Sequence, residues 1–176
     1  MSGELTLRDA APGDGAAVAA IYAHHVLHGT ASYDTEAPSP ADMRDKIAHV
    51  LARGWPFLVA EAEGEVVGYA YATQFRDRPA YAFTCENSIY VRAGDGGRGI
   101  GRRLLEALLV RSEKVGFRQM VAVIGGAEPA SVALHAACGF RETGRIEAVG
   151  WKKGRWLDNV YMQKALGPGA TRPPDA

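Results

Sequence analysis

Residues 91–102 read Val91-Arg92-Ala93-Gly94-Asp95-Gly96-Gly97-Arg98-Gly99-Ile100-Gly101-Arg102. Before them, Glu86 to Val91 reads as a strand. After them, Ile100 to Val115 carries Leu104, Leu105, Leu108 and Leu109 as an apolar helical stripe. The stretch is therefore a strand, a glycine-rich loop and a helix. Glycines let the backbone approach a ligand closely. The helix start offers unpaired N–H groups and partial positive charge, which suits a phosphate. Arg98, Arg102 and Arg103 add charge for a diphosphate or a ribose phosphate. Gly94, Gly96 and Gly99 satisfy the dinucleotide fingerprint, but the next strand ends at Ile124-Gly125-Gly126 with no acid to hold a ribose. Gly96 and Gly101 have P-loop spacing, yet Arg102-Arg103 stands where Lys-Ser/Thr is required.

Outward from the loop, the chain alternates strands and helices. Leu5 and Leu7 mark a first strand. Val18, Ile21, Tyr22 and Val26 mark a helix that Asp14 is placed to cap. Ser39-Pro40-Ala41-Asp42 opens a second helix that ends near Gly54. Phe57–Glu61 and Val66–Thr73 are strands joined by a turn at Glu63-Gly64-Glu65, and a polar loop follows from Phe75 to Tyr81. Beyond the central helix come a strand at Gln119–Ile124, a short helix at Pro129–Cys138 stopped by Gly139, and strands near Arg141–Ala148 and Trp156–Gln163. The expected fold is a single α/β domain over residues 1–166: a mixed, mostly antiparallel sheet of about seven strands with four helices. The Gly- and Pro-rich tail, 167–176, is expected to be disordered.

Composition excludes several classes. Formal net charge is zero over 176 residues, which argues against nucleic acid or an anionic membrane as a bulk partner. No apolar run is long enough to span a bilayer. Met1-Ser2-Gly3-Glu4 has no basic region followed by an apolar stretch, so no signal peptide is expected. Cys85 and Cys138 show no CxxC spacing, and a reducing cytoplasm fits. His24 and His28 lie one helical turn apart, but a metal site needs more ligands, so no metal is expected.

Arg98-Gly99-Ile100-Gly101 leading into a leucine-rich helix resembles the coenzyme A pyrophosphate loop of the GNAT acetyltransferases, Gln/Arg-x-x-Gly-x-Gly/Ala. Gly96 departs from that pattern, since Gln or Arg is usual there. Ser131 to Phe140 resembles the second GNAT signature. Further blocks resemble one branch, the phosphinothricin and methionine sulfoximine N-acetyltransferases: Ile21-Tyr22, Thr30–Glu36, Leu58–Glu61, Glu86–Val91 and Val121–Gly125. The resemblance implies acetyl-CoA as co-substrate, a homodimer, and a small amino acid as acceptor. It implies that Ile89, Tyr90, Val91, Gly96, Gly97, Arg98, Gly99, Ile100, Gly101, Arg102, Glu128 and Ser131 hold the coenzyme. Glu128 stands where Asn is common; an ionised Glu can only accept a hydrogen bond.

An alkyl amine is mostly protonated at neutral pH, and only its free base attacks a thioester. A general base is therefore needed. Glu86 is the candidate, because a charge in an apolar central strand is costly unless paired or used. A structural ion pair with Arg76 or Arg78 is the alternative. His135 matches the family position of the group that protonates the leaving thiolate. By the same resemblance Arg76, Arg78 and Tyr81 take the acceptor, and Tyr33 walls its pocket; Arg forks suit carboxylate or phosphinate. Rival readings are a non-catalytic acyl-CoA sensor, which should lack the base, and transfer to a protein N-terminus or polyamine, which Arg76 and Arg78 would repel.

Overall fold

The computed structural model describes residues 4–174. The start of the chain read for a signal peptide, residues 1–3, and the last two residues of the tail lie outside them. The elements run β1 (Thr6–Asp9), α1 (Gly15–His28), α2 (Pro40–Ala52), β2 (Phe57–Ala62), β3 (Glu65–Gln74), β4 (Thr84–Val91), α3 (Ile100–Lys114), β5 (Gln119–Gly125), α4 (Pro129–Ala137), β6 (Arg141–Lys152) and β7 (Arg155–Ala165). They build one seven-stranded sheet in the order β1-β2-β3-β4-β5-β7-β6. Every neighbouring pair is antiparallel except β4 and β5. This is the mixed α/β fold expected from the sequence.

Both faces of the sheet are covered, and β2 shows why its sequence lacks polar alternation. Phe57 and Val59 face α1 and α2, packing with Val18, Ile21, Met43 and Ile47. Leu58 and Ala60 face α3, packing with Leu104, Leu105 and Leu108. The α2 start forms as read: Ser39 Oγ accepts from Asp42 N at 3.1 Å, and the Asp42 carboxylate accepts from Ser39 N at 2.8 Å. The α1 start differs. Asp14 makes no side-chain cap. Its carboxylate instead takes the fork of Arg8 at 2.9 Å on both oxygens, plus the Ala11 N–H at 2.8 Å. The carboxylate thereby gains three hydrogen bonds, two of them in a bidentate ion pair, in place of one cap bond.

One irregularity positions the site. β4 and β5 are paired only from Thr84 to Glu86. Beyond Glu86 the two strands part and leave a cleft, while β4 stays paired to β3 as far as Val91. At the far edge, β6 is longer than its apolar pattern suggested and is exposed over nearly its whole length. Residues 167–174 belong to the tail that the sequence reading expected to be disordered. They run as turns against Arg118, whose guanidinium reaches the carbonyls of Gly169 (3.5 Å) and Pro173 (3.2 Å). No helix among the described residues is long and apolar enough to cross a membrane.

Candidate active site

The glycine loop ends at Gly99, whose left-handed φ of 77° starts α3 without a side-chain cap. The first-turn N–H groups are thereby left for a ligand. A groove of about 350 Å³ runs along this helix start and is closed on its other side by Ser131 and Leu134 of α4. Gly101 lies between α4 and β4: a Cβ there would stand 3.3 Å from Leu134 Cδ2 and 3.7 Å from Val91 Cγ2. The nearby arginines are partly engaged. Arg92 and Arg98 both pair with Asp95, and the hydrogen bonds they donate, that of Arg92 first, hold the carboxyl below its usual range. Arg102 pairs with Glu106 at 2.8 Å.

A second cavity, about 260 Å³, lies in the cleft between β4 and β5. It meets the groove at Ile89 and Ser131, which line both. Glu86 stands in this cavity at the point where the strands part. Burial raises its pKa above the ordinary 4.5, and Arg76 opposes that rise with Nη1 at 3.8 Å from the carboxylate. Both readings of Glu86 made from sequence thus find a feature: the ion pair exists, but it is long, and the carboxylate still opens to a cavity.

His135 is buried behind the cleft, and burial lowers its pKa, so the neutral ring prevails at pH 7. Its Nδ1 lies 2.8 Å from the Ser131 carbonyl. A carbonyl can only accept, so Nδ1 carries the ring proton. Nε2 then needs a donor, and its neighbour is the Asn87 amide, with Oδ1 at 3.1 Å and Nδ2 buried without a partner. A half-turn of that amide gives Nε2 its donor and turns the amide oxygen toward the position without a partner.

The outer wall is the segment Ala31–Asp34, and β6 and β7 clamp it. The buried Lys152 ammonium donates to the Ser32 carbonyl at 2.7 Å. Tyr33 donates its hydroxyl hydrogen to Asp158 O at 3.2 Å and accepts from Gly126 N at 3.3 Å. Its ring covers Gly150 so closely that a Cβ there would lie 2.5 Å from Tyr33 Cε2. Gly150→Ala must displace that ring, and it is expected to destabilise the fold by about 1–3 kcal/mol. A lower denaturation midpoint at unchanged slope would register it; an unchanged midpoint would mean the wall is not clamped here.

Comparison with known proteins gives the family. A family described as an acetyltransferase (GNAT) domain matches residues 7–161. The chain belongs to the GNAT acetyltransferases. A phosphinothricin N-acetyltransferase of Alcaligenes faecalis is 47% identical over 97% of this acetyltransferase and 87% of its own length. An L-methionine sulfoximine/L-methionine sulfone acetyltransferase of Salmonella typhimurium is 38% identical over 98% and 99%. The crystal structure of a GNAT superfamily phosphinothricin acetyltransferase from Sinorhizobium meliloti, in complex with AcCoA, superposes with a TM-score of 0.95 at 47% identity, covering 97% of this chain and 93% of that one.

The acetyltransferase brings most of the residues singled out from sequence into two connected places. Val91, Gly96, Gly97, Gly99, Ile100, Gly101 and Arg102 line the groove. Tyr33, Glu86, Tyr90 and His135 line the cleft, and Ile89 and Ser131 line both. Arg98 is turned to Asp95. Glu128 precedes α4 without a capping bond and lines neither cavity. Arg76 stacks over Phe75 near Glu86, while Arg78 and Tyr81 stand exposed on the β3–β4 loop outside both cavities. Among the cleft residues that had drawn no role from sequence are Tyr22, Asp34 and Asn159. Tyr22 read as part of the α1 stripe and Asp34 as loop; neither pattern reveals that the segment folds over the cleft.

Proposed function

We propose that the protein transfers acetyl from acetyl-CoA to the α-amine of a small amino acid with a polar tetrahedral end, such as phosphinothricin, methionine sulfoximine or methionine sulfone. The observation that carries this reading is a half-buried carboxylate, Glu86, beside the junction of a phosphate-type groove and an acceptor-sized cleft. The relatives' named substrates support the acceptor class.

In this reading the α3 N–H groups and the 96–102 loop take the diphosphate. The pantetheine arm runs past Ile89 into the cleft. Glu86, directly or through one water, removes a proton from the acceptor ammonium. The free amine attacks the thioester carbon, with β4 backbone N–H groups stabilising the oxyanion. Collapse forms the amide and expels the thiolate of coenzyme A. A thiol of ordinary pKa near 8.5 leaves readily, so the proton assigned to His135 is not rate-setting. Arg76, beside Glu86, and Arg78 and Tyr81 on the same β3–β4 loop serve the acceptor's anionic groups. The exposed β6 edge, with Ile146, Val149 and Trp151, and Trp156 facing outward on β7, is the surface through which a homodimer would form.

Thiol release from acetyl-CoA tests the whole reading. The three named amino acids should stimulate it; efficient use of spermidine or a peptide N-terminus with all three ignored would overturn the acceptor class. The groove is tested separately. Gly101→Val would push Leu134 across the groove and weaken acetyl-CoA about tenfold, an overpacking effect of ~1.4 kcal/mol. Unchanged calorimetric affinity in the folded variant would place the diphosphate elsewhere.

A further inference from the structure

The cleft is lined by two carboxylates, Asp34 and Glu86, and by no lysine or arginine. Arg76 faces Glu86. Asp34 has no ion pair among the described residues. Lys152 is near enough to feel its charge, but that ammonium is directed to the Ser32 carbonyl. One Asp34 oxygen, Oδ2, accepts from the Tyr22 hydroxyl at 2.6 Å, and the other takes no hydrogen bond among the described residues. The carboxylate is also held in place. Asp34 N donates to Ser32 Oγ at 3.2 Å, and Tyr22 meets Tyr90 edge-on at 5.0 Å.

Glu86, Ser88 and Tyr90 share one face of β4, the face that carries α1 and α2. Tyr90 lies four residues along the strand from Glu86, about 13 Å at strand rise. Through Tyr22 and Tyr90, Asp34 therefore marks the end of the cleft remote from Glu86. An acceptor with its amine at Glu86 has its other groups distributed between the Arg76 side and this acidic wall. We infer that Asp34 is a specificity-determining residue: it makes the cleft favour an acceptor whose tetrahedral end is uncharged over one whose end is anionic. The inference rests on the proposed acetylation of an amino acid in this cleft. A like charge brought against a carboxylate with no cation paired to it is repelled. A neutral sulfone is not, and a sulfoximine N–H can donate to the free oxygen of Asp34.

Methionine sulfone and homocysteate form the deciding pair, since they differ only by a methyl group against a charged oxygen on the same sulfur. With acetyl-CoA as donor, the native enzyme should show kcat/KM at least about tenfold higher for the sulfone, and Asp34→Asn should narrow that ratio by about tenfold. Equal efficiency in the native enzyme would overturn the inference whether or not the variant folds. So would an unchanged ratio in a variant that still binds acetyl-CoA. If the native enzyme acetylates neither compound, the proposed acceptor class itself fails and the inference falls with it.

Discussion

Glu86→Gln is expected to lower turnover at neutral pH by about 10²- to 10⁴-fold, the usual contribution of a general base, while acetyl-CoA affinity stays near native. The amide keeps the size of the side chain but cannot take a proton. The pH profile gives a second signature. Glu86 acts only when ionised, so the native rate must fall as pH drops through its pKa. Burial raises that pKa, so the acid limb should lie above pH 4.5. The nearby Arg76 charge keeps the limb lower than burial alone would. In the Gln variant this limb should vanish. A variant with near-native turnover and the same acid limb would make the Arg76–Glu86 pair structural.

Arg78→Ala should raise the KM for phosphinothricin by about 10- to 150-fold, the loss of about 1.5–3 kcal/mol for one charge-assisted hydrogen bond, and leave the acetyl-CoA KM unchanged. Arg78 has no ion pair among the described residues and projects from the exposed β3–β4 loop, whose backbone Gln74 ties down through the carbonyls of Arg76 and Arg78. A guanidinium that supports nothing in the fold can be removed without collapse, so a KM effect would report on the acceptor. Equal rises in both KM values would point to a disturbed loop instead.

The sequence was most legible where local chemistry decides structure. Gly99 and Gly101 announce a ligand-binding helix start, and the Ser39–Asp42 box marks the start of α2 with no help from the rest of the fold. Reading failed where distant groups compete. Asp14 looks like a cap until Arg8, six residues earlier, claims both its oxygens. The parting of β4 and β5 has no signature in β5, which stays apolar and continuous, and in β4 it coincides with the polar run Glu86-Asn87-Ser88, whose composition alone does not say that the hydrogen-bond register ends at Glu86. The acceptor wall was harder still. Asp34 reaches the cleft because Lys152, more than a hundred residues away, holds the Ser32 carbonyl.

General-base catalysis by Glu86 requires the acceptor amine to sit at its carboxylate, and a crystal structure with coenzyme A and methionine sulfone bound together measures that directly. The amine should lie within about 2.6–3.2 Å of the Glu86 carboxylate, or one water away from it, with the coenzyme sulfur on the β4–β5 side of the same cleft. An amine bound beyond reach of Glu86, with another group at that distance, would contradict it.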